Sequence, residues 1–177
     1  MPTHSSDISS NKNEKRDELF PRMHLPPELT YKFLGTFARC EYALKSSGFE
    51  RARAGSVEAD WDKFATSIDW HLRRVADPQF KEAVNFILLE PPRKQIFRNG
   101  RLQWEESNPD PNQPKAQQVL LMVRRVRNNL FHGAKVWSPE YDNRVRDIRL
   151  VESSTLILEN VMRLNQEVRL TYDIGAF

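Results

Sequence analysis

The chain has 177 residues, of which 39% are hydrophobic and 29% charged, and its formal net charge is +3. This length and composition are typical of one globular domain with a real core. Because Cys40 is the only cysteine, an internal disulfide and a cysteine-rich metal site are excluded. The net charge is small, so the local distribution of charge is more informative about partners than the total.

Residues 1–24 are rich in Ser, Asn and charged side chains, and few of them are apolar. Such a segment cannot bury enough surface to offset the entropy of ordering, so we expect a flexible tail followed by a helical domain over residues 25–177. The chain has no signal-peptide pattern and no apolar stretch long enough for a bilayer. We therefore expect a cytoplasmic protein that does not contact membranes.

Apolar residues recur at helical spacing in five segments, which predicts an all-α, up-down bundle of about five helices. Proline or a capping side chain precedes most of these segments, notably Ser56 and Asp77. The predicted helices cover about residues 28–45, 57–75, 78–90, 114–133 and 142–168. The last of them is apolar over a wide arc, which is typical of a central or interface helix.

A small β-hairpin is predicted as an insertion near residues 94–104, because Asn99-Gly100 separates two short strand-like runs. Cations and aromatic rings alternate around it: Arg93, Lys94, Phe97, Arg98, Arg101 and Trp104. This pattern suits either an RNA-contacting surface or a solvated hairpin packed by its own aromatics. We prefer the second interpretation at this stage.

The segment from residue 123 to residue 133 is the strongest candidate for a functional site. A rotation of about 100° per residue puts Arg125, Asn128 and His132 on one helical stripe, opposite the core-facing Val126. By the same rule Arg127 lies about 140° from His132, although its side chain is long. Such a stripe is either a solvated surface or a site that holds a phosphate and moves a proton.

Positive charge is unopposed around this stripe. No Asp or Glu occurs from residue 111 to residue 139, whereas Arg124, Arg125 and Lys135 lie there. We therefore expect these three cations to bind the RNA backbone if the stripe is a nucleic-acid site.

Other residue types point away from a cofactor. Histidines and carboxylates do not occur at metal-ligand spacing, and no glycine-rich turn precedes a helix, so we expect neither a metal nor a cofactor. Glu41 interrupts the apolar stripe of the first helix. It is either a buried acid paired with an arginine, which we prefer, or a supporting residue of the site.

The segment Arg127-Asn128-Asn129-Leu130-Phe131-His132 resembles the signature of the HEPN superfamily, an Arg followed, often through Asn, by a His four to six residues on. The all-α layout also resembles that superfamily, as does the early segment 37–45 with its inward Glu. One toxin branch has Tyr two residues after the His. Ala134 stands there in this chain, so we do not expect membership of that branch.

The resemblance implies a metal-independent endoribonuclease whose motifs meet in the cleft of a homodimer. Arg127 would stabilise the phosphate, His132 would serve as acid or base, and Asn128 would hydrogen-bond near the scissile group. Many members act in toxin–antitoxin or defence systems, which implies an antitoxin or another partner protein. The alternatives are a non-catalytic HEPN-like module that binds RNA or protein, and a purely structural bundle.

Overall fold

The computed structural model describes residues 24–132 and 143–175. Within these ranges the protein is mostly helical, with six α-helices and two antiparallel β-hairpins, so the predicted helical class is confirmed. In chain order the elements are α1 (Pro27–Lys45), β1 (Glu50–Arg53), β2 (Ser56–Ala59), α2 (Trp61–Leu72), α3 (Pro78–Leu89), β3 (Lys94–Arg98), β4 (Arg101–Glu105), α4 (Lys115–Phe131), α5 (Arg144–Val161), a 3-10 turn (Met162–Leu164) and α6 (Gln166–Ile174).

Helix α5 lies at the centre of the fold, where it packs against α1 and α3 and also contacts α4. Helix α2 packs against α4, and α6 packs against α1. The predicted inward stripe of α4 is buried in this core, as Val119, Met122, Val123, Val126 and Leu130 show. None of the helices in the described ranges is both long and apolar enough to cross a bilayer.

The first hairpin, β1–β2, was not predicted, and the expected helix start at Ser56 is wrong. Ser56 begins β2, and the cap of α2 is Asp60, whose carboxylate accepts a hydrogen bond from the Lys63 amide at 2.9 Å. The turn consists of Ala54 and Gly55, both with positive φ. Asparagine adopts positive φ more readily than alanine, because its short polar side chain can hydrogen-bond locally. Ala-Gly is therefore a much weaker hairpin signal than Asn-Gly.

The predicted long last helix is interrupted. Helix α5 ends at Val161, and Asn165 adopts an extended backbone with φ −119° and ψ 129°. Its side-chain oxygen accepts hydrogen bonds from the amides of Glu167 and Val168, both at 3.1 Å, so it starts α6. Val168, which follows the break, is buried at the position that the helical spacing of α5 would predict. The periodicity of apolar residues therefore did not reveal the break.

The second hairpin, β3–β4, agrees with the prediction. Its strands pair antiparallel from Lys94 opposite Glu105 to Arg98 opposite Arg101. Asn99 and Gly100 form the turn with φ values of 54° and 74°. These positive values are those that the Asn-Gly signal predicts for a tight hairpin turn.

The predicted tail lies outside the described residues as far as residue 23. His24, which we assigned to the end of that tail, is mostly buried, with its Nε2 3.4 Å from Oδ2 of Asp147 in α5. Leu25 is buried in the core. The packed part of the chain therefore includes His24.

Helix α2 supplies the cap of α4. Pro114 precedes α4 and offers no side-chain hydrogen bond. Instead, the amide of Ala116 donates to Oδ1 of Asp69 in α2 at 2.9 Å, while Oδ2 of the same carboxylate accepts from Arg73 at 2.8 Å. A carboxylate beside the positive end of the helix dipole stabilises the start of α4.

Replacing Asp69 with Ala should lower the free energy of unfolding by about 1–2 kcal/mol, because α4 loses its only side-chain cap among the described residues. Denaturant titration followed by circular dichroism measures this change. Glu82→Ala is the matched control, because its ion pair with Arg149 is exposed and should contribute less than about 1 kcal/mol. Equal losses in the two variants would contradict the capping role.

Candidate functional site

A surface groove of about 380 Å³ runs along the outward side of α4, next to the base of the β3–β4 hairpin. Its described lining residues carry three cations and one imidazole, and none of them is acidic. They are Lys94, Gln95, Leu121, Arg124, Arg125, Asn128, Asn129 and His132. The groove therefore combines positive charge, amide groups and a titratable ring.

His132 lies at the end of α4, where its backbone amide still donates to the carbonyl of Asn128 at 3.0 Å. Its side chain is exposed, and the ring stands edge-on to Phe131 with 5.8 Å between the centroids. The helix thus delivers the imidazole to the rim of the groove, where a solute can reach it.

Arg125 lines the groove but is also a structural residue. Its Nη1 donates to the carbonyl oxygens of Pro92, at 3.1 Å, and Ser107, and its Nη2 donates to the Ser107 hydroxyl at 3.3 Å. Pro92 precedes the β3–β4 hairpin and Ser107 follows it. Partial burial lowers the pKa of Arg125 below its ordinary value. This side chain therefore ties both ends of the hairpin to α4.

Asn129 makes a similar tie. It is 8% exposed, and its Nδ2 donates to the carbonyl of Arg93 at 2.9 Å. Sequence reasoning gave Asn129 no role, although an asparagine beside the apolar stripe of a helix is a signal for a buried hydrogen bond. Together, Asn129 and Arg125 fix the wall of the groove.

Arg124 forms an ion pair with Asp62 of α2, with 3.5 Å between Nη1 and Oδ1. The sequence around the stripe contains no acidic residue. In the fold, however, a carboxylate from another helix lies beside Arg124. Because the Asp62 side chain is 66% exposed, the pair is weak and can be exchanged for another anion.

Arg127 does not line the groove. Its guanidinium carbon lies 5.3 Å from the ring centroid of Phe37 in α1 and 4.7 Å from that of Phe131. Its Nη1 donates to Oδ1 of Asn128 at 3.1 Å. The structure therefore brings Arg124, Arg125, Asn128 and His132 together, while Arg127 reaches the groove only through the Asn128 amide.

The other candidate residues have separate surroundings. Glu41 is half-buried one helical turn after Phe37, and the expected arginine partner is not found among the described residues. Lys135 lies outside the described residues. Cys40 is fully buried, and burial strongly raises the pKa of its thiol, which makes it a core residue and not a nucleophile. The described residues include no cluster of three or more His, Cys, Asp or Glu suited to a metal.

Sequence reasoning missed two further lining residues, Leu121 and Gln95, and it named Lys94 only as part of the basic group on the hairpin. Leu121 lies four residues before Arg125, so helical spacing was sufficient to place it on the same stripe. Lys94 and Gln95 come from the base of the hairpin, and their position beside α4 depends on tertiary contacts. No local pattern in the sequence carries that information.

The chain matches no model of a protein family, no curated protein and no solved structure at a significant level. The HEPN resemblance therefore depends on the segment from Arg127 to His132 and on the helical layout. The chemistry of the groove is the remaining indication of function.

Replacing Arg125 with Gln should lower the free energy of unfolding by about 1–3 kcal/mol, because carbonyl oxygens of Pro92 and Ser107 lose a charged donor. Arg124→Gln is the control on the same helix, and its exposed pair with Asp62 should contribute less than about 1 kcal/mol. Chemical denaturation of both variants measures the difference. If Arg124→Gln proves the more damaging change, the assignment of Arg125 as the tie is incorrect.

Proposed function

We propose that the groove on α4 binds the phosphate backbone of RNA and that His132 cleaves it without a metal ion. The observation that carries the proposal is the shared groove itself, in which Arg124, Arg125, Asn128 and His132 lie together and no described lining residue is acidic. The resemblance to HEPN proteins adds the reaction type.

The reaction is an internal displacement at phosphorus. The ribose 2′-oxygen attacks the phosphate, the bond to the 5′-oxygen breaks, and the products carry a 2′,3′-cyclic phosphate and a 5′-hydroxyl. One imidazole accepts the proton of the 2′-hydroxyl, and an imidazolium donates a proton to the leaving 5′-oxygen. Positive charge stabilises the phosphorane between these two steps.

The side chains divide this work according to their positions. His132 is exposed at the rim and is free to exchange protons with a bound substrate. Arg124 holds only a weak exposed pair, so its guanidinium is available to a phosphate. Asn128 lines the groove and accepts a hydrogen bond from Arg127 at 3.1 Å, which positions a third guanidinium beside the two of Arg124 and Arg125.

The proposed reaction uses two histidines, and a second copy of the chain would supply the second one. The groove contains one imidazole among its described lining residues, whereas the reaction uses an acid and a base. A two-fold dimer brings two histidines to one cleft. Leu121 and Phe131 on the outward side of α4 are 37% and 63% exposed, which supports α4 as the contact surface.

One observation favours a second candidate, a module that binds RNA without cleaving it. Arg127 lies against the rings of Phe37 and Phe131 and not inside the groove with His132. In that case the cations would make backbone contacts and no proton would be transferred. Both candidate functions predict an RNA affinity that falls steeply as the salt concentration rises. Only the nuclease predicts that the RNA is cleaved.

Replacing His132 with Ala should lower the rate of RNA cleavage by at least about 100-fold, because proton transfer is lost. The affinity for RNA should change little, because phosphate contacts come from the arginines. Mass spectrometry of cleaved ends in excess chelator gives the measurement, and 2′,3′-cyclic phosphate is the expected product. His71→Ala is the matched control, since His71 is an exposed histidine on α2 outside the groove.

Two results would contradict the catalytic proposal. Cleavage that stops in chelator would indicate a metal-dependent reaction. A wild-type protein that binds RNA and leaves every tested RNA intact would support the binding module.

Leu121→Glu should weaken self-association at least about tenfold, because it places a charge in the proposed contact surface of α4. Sedimentation velocity over a range of protein concentrations measures the dimer dissociation constant. Leu170→Glu on α6 is the control, because this leucine is also exposed, at 48%, and lies on another helix. A dimer that is insensitive to Leu121→Glu would place the interface elsewhere.

A further inference from the structure

The β3–β4 hairpin has an exposed apolar face that the proposed chemistry does not use. Phe97 and Leu102 are direct cross-strand partners, and they are 73% and 68% exposed. Because side chains alternate along a strand, this pair lies on the same face as the Gln95–Trp104 pair. Two adjacent exposed apolar side chains form a small patch that can serve as a contact surface.

This face adjoins the groove at Gln95. Gln95 lines the groove beside Asn128 and His132, and Phe97 follows two residues later on the same side of β3. Two residues of strand span about 7 Å. A nucleotide chain that leaves the groove along β3 past Gln95 would therefore bring its next nucleotide to the ring of Phe97.

Net positive charge on the hairpin also suits nucleic acid. Strand alternation puts Lys94, Arg98 and Arg101 on the face opposite Phe97, so they attract RNA to the hairpin without contacting a base on that ring. Arg93 and Arg98 pair with Glu106 and Glu105, at 3.6 and 3.0 Å. Lys94 and Arg101 complete a set of four cations against two carboxylates. Neither Lys94 nor Arg101 forms an ion pair with any other residue that the structure describes.

We propose that the face formed by Phe97 and Leu102 is a stacking platform for an unpaired base adjacent to the groove, so that the protein selects single-stranded RNA over duplex. The inference rests on the proposed function in taking RNA as the ligand. An aromatic ring stacks on the face of any base, whereas a base inside a duplex is already covered on both sides. The platform thus adds affinity for unpaired segments without reading their sequence.

The experiment compares Phe97→Leu, Phe97→Trp and Val57→Ala with the wild-type protein. The probe is a fluorescent 2′-O-methyl RNA, single-stranded or annealed to its complement, which cannot be cleaved by 2′-hydroxyl attack. Leucine keeps an apolar surface but has no aromatic face, and tryptophan enlarges that face. Val57 is 59% exposed on the other hairpin and is the control for loss of exposed apolar surface.

Fluorescence anisotropy should show about tenfold weaker binding of the single strand by Phe97→Leu, and wild-type or tighter binding by Phe97→Trp. Duplex affinity should be the same for all of these proteins, and Val57→Ala should match wild type. Equal affinity of the Phe97 variants for the single strand, or no binding by any of them, would overturn the inference.

The readouts separate this inference from the cleavage proposal, because binding is measured with a probe that cannot be cut. If the Phe97 variants change RNA affinity but the wild-type protein does not cleave ordinary RNA, the stacking inference stands and the nuclease proposal fails. If the protein cleaves RNA through His132 but the Phe97 variants bind as wild type does, the nuclease proposal stands and the stacking inference fails. If Phe97→Leu changes the sedimentation coefficient and not the RNA affinity, the hairpin face covers a second copy of the chain and the inference fails.

Discussion

The structure of the candidate site depends on hydrogen bonds from α4 side chains to carbonyl groups at the ends of the β3–β4 hairpin. An isolated two-stranded hairpin is marginal in water, so it requires support from the helices. Arg125 reaches Pro92 and Ser107, and Asn129 reaches Arg93. These bonds hold Lys94 and Gln95 against α4, and the groove exists because the hairpin base stands there.

The three arginines of α4 have different surroundings in the fold. Arg125 is engaged with backbone carbonyls, Arg124 holds an exposed carboxylate, and Arg127 lies on two aromatic rings. Only the first of these arrangements uses the guanidinium as a fixed part of the fold. The other two leave a cation on α4 that is not fixed by backbone carbonyls: Arg124 lines the groove, and Arg127 lies outside it beside the Asn128 amide.

Local signals predicted the elements that have local causes. Asp77 caps α3 and Asn99 forms the second hairpin turn, both as the sequence indicated. The turn at Ala54 and the cap at Asn165 were not recognised. Alanine gives no local signal for positive φ, and the buried Val168 continues the apolar spacing past Asn165. The fold class was therefore predictable, whereas the first hairpin and the division of the last helix were not.

The part of the site that lies on one helix was predicted, and the part that depends on tertiary contacts was not. A period of 3.6 residues was sufficient to place Arg125, Asn128 and His132 on one stripe, and all three line the groove. The wall formed by Lys94 and Gln95, and the carboxylate of Asp62 beside Arg124, come from distant parts of the chain. Helical geometry carries no information about such contacts.

The position of Arg127 is compatible with the proposed chemistry when the energies are compared. Arg127 contacts two rings: the contact with the exposed ring of Phe131 is worth about 0.5–1 kcal/mol, and the contact with Phe37, which is 3% exposed, is worth about 2 kcal/mol. A hydrogen bond to a charged group contributes about 1.5–3 kcal/mol, and a guanidinium can make two of them to one phosphate. Two hydrogen bonds to a phosphate would therefore outweigh the two ring contacts only by a small margin. In the proposed function, Arg127 would exchange between the rings of Phe37 and Phe131 and a phosphate beside Asn128.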